Sequence, residues 1–78
     1  MKILFTTDDV LEVPYDNLVG VSLNEINLHR AKLEDMDLHN STFIGSDLRG
    51  AFLVNSNLTE CNLSDASLIT AYFMHATL

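Results

Sequence analysis

Three histidines, one cysteine and eleven carboxylates are the groups of this 78-residue chain that could ligate a metal, attack a carbonyl or carry a proton. Serine and threonine are plentiful too, so the ingredients of a Ser-His-Asp relay are present, but a relay works only where its members converge. Glu34, Asp35 and Asp37 lie close enough in sequence to attract a cation. Lone Cys61 rules out an intramolecular disulfide framework. No Gly-rich phosphate loop occurs. Whether His29, His39 and His75 can meet depends on the elements that carry them.

Those elements follow from a period of five. Every fifth residue from Leu18 is Leu23, Leu28, Leu33, Leu38, Phe43, Leu48, Leu53, Leu58, Leu63, Leu68, Phe73 and Leu78, all Leu or Phe. Two positions earlier the residue is usually small, as at Ala31, Ser41, Ser46, Ala51, Ser56, Cys61, Ala66, Ala71 and Ala76. One position earlier, Asn, Asp, Ser or Thr recurs. An α-helix would rotate successive central residues by about 500° and scatter them around its axis. A flat strand would send alternate ones to opposite faces. All of them stay inside only if the chain turns a corner once per unit and traces a square coil. The small residue two positions earlier then shares the interior, and the other three positions face out.

Units such as Ser46-Asp47-Leu48-Arg49-Gly50, Ser56-Asn57-Leu58-Thr59-Glu60 and Cys61-Asn62-Leu63-Ser64-Asp65 resemble the A(D/N)LXX signature of the pentapeptide-repeat proteins. The resemblance spans residues 16–78. It implies an all-β fold, a right-handed quadrilateral β-helix with four units per coil and about three coils here. Val21, Ile26 and Met36 are oversized for the small position, so irregularity is expected in the first coil. Residues 1–15 fall out of register, because Asp8 would become central. Their clusters Ile3-Leu4-Phe5 and Val10-Leu11, with Pro14, predict a short N-terminal cap over the first coil, hiding an edge that could recruit strands. No such cap is expected after Leu78. Gly45 and Gly50 fit corners.

With four units per coil, residues twenty apart share a face. His29, His39 and His75 then fall on three different faces, so no shared metal is expected. No cofactor is called for, and Cys61 takes an inward slot as a small hydrophobe. No nucleophilic relay converges, so an enzyme is not expected. The first two faces carry Glu25, Asp37, Glu60 and Asp65, with Asp16 near the start, and no Lys or Arg. Arg30, Lys32 and Arg49 lie on the other two, opposite Asp47 and a secondary acidic edge of Glu34 and Asp35.

The formal net charge is −7, which repels nucleic acid and suits a basic partner. Three coils at a strand spacing of about 4.8 Å give a rod of roughly 15 Å. One DNA strand carries about four phosphates over that length, at roughly 3.4 Å each. The acidic side matches that charge density. Some members of the family are acidic rods that imitate duplex DNA and inhibit DNA-handling enzymes, notably gyrase. The resemblance therefore implies a non-catalytic DNA mimic that fills the groove of a basic DNA-binding protein or complex. For a chain this short, an anti-CRISPR or other phage anti-defence inhibitor is favoured over the gyrase-binding type.

One unit, Ala51-Phe52-Leu53-Val54-Asn55, puts apolar residues where its neighbours put polar ones. Counting by twenty places Phe52 under Tyr72 and Val54 under Met74, near Ile69 and the uncapped Leu78. Exposed apolar clusters of this kind mark interaction sites. This patch is the alternative functional surface, that of a structural or protein-interaction module, and predicts a homodimer through the C-terminal coil. The N-terminus turns acidic too soon for a signal peptide, and no stretch is long enough to span a membrane. A cytoplasmic protein without a membrane partner is expected.

Overall fold

The computed structural model describes residues 1–78. From Leu18 onward each unit is a short straight side followed by a tight turn. In the unit around Leu48, the Leu48 carbonyl accepts the Ala51 N–H at 3.0 Å. Gly50, third residue of that turn, has φ of 65°. A positive φ at the third residue alone defines a type II turn. The same position is left-handed in every unit from Gly20 to His75, including Arg30 at 63°, Asn55 at 60° and Thr70 at 59°. Only Gly20, Gly45 and Gly50 meet it without cost. At Gly45 and Gly50 the missing side chain also makes room: a Cβ there would sit 3.3 Å from Glu25 Cγ and 3.3 Å from Arg30 Cγ.

The turn also explains the polar residue before each central one. Asn27 Oδ1 accepts the His29 N–H at 2.9 Å, and Asn57 and Asn62 repeat the contact with Thr59 and Ser64, each at 3.0 Å. The side chain thus satisfies an N–H at the start of the turn, the usual reason for Asn and Asp in such places.

Coils stack in parallel with a step of twenty residues. Bridges join Ser22 to Thr42, Thr42 to Asn62, Lys32 to Phe52, Phe52 to Tyr72, and Asn57 to Thr77. Between these coils, backbone donors and acceptors find partners: Leu33 N–H bonds Phe52 O at 2.9 Å, and Phe52 N–H bonds Ala31 O at 2.9 Å. Inside, Leu28, Leu33, Leu38, Phe43, Leu48 and Leu53 are fully buried, with Ala31, Ser41, Ser46, Ala51 and Ser56 between them. The expected interior holds along the stack but weakens at its end. Leu63, Leu68 and Phe73 are only half-buried and Leu78 is 79% exposed, because no further coil covers them.

The three oversized residues have a visible effect. Val21, Ile26 and Met36 are half-buried rather than enclosed, and their N–H groups lack the turn bond that Ala31 makes to Leu28 at 3.0 Å. Serines of the next coil fill two of the openings. Ser46 Oγ donates to Leu23 O at 2.5 Å and accepts the Ile26 N–H at 3.2 Å. Ser41 does the same between Leu18 O and the Val21 N–H.

Residues before the stack form an antiparallel hairpin, β1 (Lys2–Leu4) and β2 (Val10–Glu12), with Ile3 opposite Leu11. Ile3, Phe5 and Val13 are buried in the same core as the coil residues. Leu4 O accepts the Lys32 N–H at 2.8 Å and Thr6 N–H donates to Arg30 O at 3.2 Å, around an antiparallel bridge from Phe5 to Ala31.

Candidate functional site

Outward positions on a coil side are the residues flanking the central one, which lie two apart and point the same way. Corner positions follow. Asp37 flanks Leu38, while Glu25, Glu60 and Asp65 are corner residues with left-handed backbones. All four are exposed, as is Asp16. Glu25 extends over Gly45, the corner above it, and Asp65 is the corner above that. Asp16 and Asp37 line one shallow groove with Met1, Asn17 and Met36.

Sequence reasoning missed one member of this side. His39 Nδ1 lies 2.7 Å from Asp37 Oδ1, and the His39 N–H reaches the same oxygen at 3.3 Å. These hydrogen bonds hold the Asp37 carboxyl below its ordinary range. The signal was available, since residues 37 and 39 flank one central Leu and must share a face.

Arg49 and Asp47 have the same relationship on the opposite side. Nη2 and Nε of Arg49 meet the two carboxylate oxygens at 2.7 and 2.9 Å, and the Arg49 N–H adds a bond at 3.1 Å. Together they lower the Asp47 carboxyl to about 2. Arg30 and Lys32 form no ion pair, so Asp37–His39 and Asp47–Arg49 are the two close charge contacts. On the secondary acidic edge Asp35 Oδ1 accepts from Asn55 Nδ2 at 3.1 Å, one coil apart.

No three His, Cys, Asp or Glu side chains gather as a metal site would require. Cys61 Sγ donates to Leu38 O at 2.9 Å, and burial pushes its thiol pKa up, away from the thiolate form that nucleophilic or redox work needs.

The apolar patch is an ordered column. Phe52 and Tyr72 rings stack 4.8 Å apart and 8° from parallel, the spacing of adjacent coils. Phe52 and Val54 are half-buried, whereas Tyr72, Met74 and Ile69 are 52%, 69% and 68% exposed. Lys32 stands in the same column one coil before Phe52. Among the apolar residues, exposure therefore rises from Phe52 and Val54 to Tyr72 and Met74 in the last coil.

Comparison with known proteins adds the following. A family model described as pentapeptide repeats matches residues 17–43 and 37–73, in 8 copies. Among solved structures, a pentapeptide repeat protein from the Arabidopsis thaliana thylakoid lumen is 27% identical, with a TM-score of 0.46. The match covers 82% of this chain and 49% of that one, so the chain spans about half its length. No curated protein matches the sequence. No helix is long and apolar enough to cross a membrane.

Proposed function

The chain belongs to the pentapeptide-repeat family, and from that premise we propose that it is a non-catalytic inhibitor whose acidic side occupies the DNA-binding groove of a cytoplasmic DNA-handling protein. The reading takes the stack as a right-handed quadrilateral β-helix of about three coils. Its favoured target class is a nucleic-acid-guided defence complex of the CRISPR type, ahead of gyrase. One observation carries it: Glu25, Asp37, Glu60 and Asp65 are all exposed, with both Lys/Arg-bearing faces elsewhere. His39 touches one of these carboxylates and leaves the other three without an ion pair.

The test is competition against labelled duplex DNA for purified CRISPR effector complexes and for gyrase. The wild-type chain displaces duplex from its target, and displacement weakens steeply between 50 and 500 mM salt, roughly as screening of exposed charges dictates. Reversing Glu25, Asp37, Glu60 and Asp65 to Lys abolishes it. Undiminished displacement by that variant would end the mimicry reading.

A second reading has its own support in the apolar patch around the Phe52–Tyr72 column, where neighbouring Met74 and Ile69 are more than two-thirds exposed. Here the chain is an interaction module that docks through apolar contact, and salt leaves its binding nearly unchanged. The same titration separates the two.

A further inference from the structure

Three central leucines are flanked by pairs that could close on one another: Lys32 and Glu34 around Leu33, Asp37 and His39 around Leu38, Asp47 and Arg49 around Leu48. The spacing is the same, yet only two pairs close. Asp37–His39 and Asp47–Arg49 each meet at 2.7 Å, whereas Lys32 and Glu34 stay apart and form no ion pair with any other group. The space between them is a cleft of about 310 Å³, at the low end of small-molecule sites. Its floor comes from the next coil. Lys32 bridges to Phe52, and the Asp35 N–H donates to Val54 O at 2.9 Å, so Phe52 and Val54 lie alongside the charged pair. Tyr72 stacks on one face of the Phe52 ring, and no second ring or cation stacks on the other. The walls are fixed as well. Thr6 lines the cleft, and the hairpin's bonds to the Arg30 and Lys32 backbones, at 3.2 and 2.8 Å, hold it there. At the corner, Asn55 Nδ2 engages one oxygen of Asp35 at 3.1 Å and leaves the second open.

We propose that this cleft binds a free basic amino acid, arginine ahead of lysine. The site goes beyond both readings of function above and uses none of Glu25, Asp37, Glu60 and Asp65. Charge complementarity selects the ligand. The lining carries one cation, Lys32, and two carboxylates, Glu34 and Asp35. Free arginine carries the mirror image, one carboxylate and two cations. Spacing agrees. Residues two apart on a coil side are separated by about 6.6 Å. Extended arginine holds its guanidinium a comparable distance from its carboxylate, whereas leucine or valine has both charges on one carbon and cannot reach both poles. The ligand's carboxylate then pairs with Lys32, its methylene stem covers Phe52 and Val54, and its guanidinium bridges Glu34 and the open Asp35 oxygen. A planar fork of N–H donors spans two carboxylates better than a compact ammonium does, which ranks arginine above lysine. Anionic ligands are disfavoured by the two carboxylates and by a net charge of −7. Lys32 and Asp35 are exposed and Glu34 is half-buried, so each pair contributes little. The dissociation constant is accordingly on the order of 1 mM.

Amide chemical-shift titration of the chain at constant ionic strength decides the matter. Arginine saturates, with shifts centred on Thr6, Lys32 to Asp35, Val54 and Asn55. Citrulline, which keeps the shape and loses the cation, and agmatine, which loses the carboxylate, each bind about threefold more weakly. Acetyl-arginine amide, which stands for an arginine within a protein, is weakened like agmatine. Lys32→Met keeps an apolar stem and removes the preference for arginine over agmatine, while Glu34→Gln narrows the preference over citrulline. Neither side chain is buried or ion-paired, so both variants keep the fold, and unchanged amide shifts away from the cleft verify it. No saturation up to about 30 mM, well above the expected range, would overturn the proposal. So would shifts centred on Glu25, Asp37, Glu60 and Asp65, or equal binding of arginine, citrulline and agmatine. Acetyl-arginine amide binding as tightly as free arginine would also overturn it, by making the cleft an anchor for a protein's side chain. None of these outcomes depends on whether the acidic side displaces DNA.

Discussion

Asp47 shows how much one position of the repeat carries. Its carboxylate caps the Arg49 N–H as any Asn or Asp would there, and it also holds the Arg49 guanidinium in a fork. The capping role needs only an oxygen, whereas the fork needs the charge. Its pKa falls to about 2 in the folded chain, against about 3.9 for an unfolded Asp. The charge term is therefore fully present above about pH 4 and disappears as pH falls through 2. Asp47→Asn keeps the cap and loses the fork. It lowers stability at pH 7 by up to about 0.5 kcal/mol, an exposed-pair magnitude, and by clearly less at pH 2, where about half of the folded chains have lost the charge. Urea midpoints at the two pH values test this, and equal losses at both would refute it. At this scale the sequence was partly legible. The preference for Asn and Asp before each central residue was plain, but its cause was not, because the acceptor's partner is an N–H that only the turn aims at it. Left-handed corners were hinted at by Gly20, Gly45, Gly50, Asn40 and Asn55. Glu25, Arg30 and Thr70 give no such hint, since the stack forces a conformation that their own preferences oppose.

At the scale of the coil, the informative contrast is between two buried serines in equivalent positions. Ser56 Oγ donates at 2.6 Å to Leu53 O, which also accepts the Ser56 N–H at 3.2 Å. Losing that hydroxyl strands no backbone group, because Leu53 O keeps the Ser56 N–H. Ser46 Oγ instead is the sole partner of both Leu23 O and the Ile26 N–H, because Ile26 is too large for the direct turn bond. Ser46→Ala strands two partly or fully enclosed backbone groups and costs about 2–3 kcal/mol, while Ser56→Ala costs under about 1 kcal/mol. Chemical denaturation of both variants checks the ranking, and equal losses would refute the bridging role. Irregularity of the first coil was readable from the side-chain volumes of Val21, Ile26 and Met36. Its repair by serines twenty and more residues later was not, because the step of twenty sets Ser41 and Ser46 over Val21 and Ile26 without showing that their hydroxyls reach the freed backbone groups. The hairpin was legible only as two apolar clusters; its pairing with the Arg30–Lys32 segment has no counterpart in the period of five.

Considered whole, the molecule concentrates charge of one sign on part of its surface, and that arrangement has a thermodynamic cost separate from any function. Eleven carboxylates against four Lys/Arg repel one another in the folded state more than in an expanded chain, so net charge weakens the compact state. Salt relieves this, since the Debye length falls from about 30 Å at 0.01 M to 3 Å at 1 M. The wild-type urea midpoint should accordingly rise between 10 and 500 mM NaCl. Reversing Glu25, Asp37, Glu60 and Asp65 adds two charges at each of four sites, taking −7 to +1. Apart from the cap that Asp37 gives the His39 N–H, the reversed chain should be at least as stable as wild type at low salt, and it should lose most of the salt dependence. This result separates two outcomes that a binding assay alone confounds. A reversed variant that is folded, more stable at low salt and inactive has lost a surface, whereas one that is unfolded has lost a scaffold. If wild-type stability is indifferent to salt, the carboxylates are too dispersed to act together, and neither self-repulsion nor mimicry of a phosphate row can be built from them. If it rises as expected, the chain tolerates a measurable instability to keep its acidic side, and the competition experiment asks what that side is for.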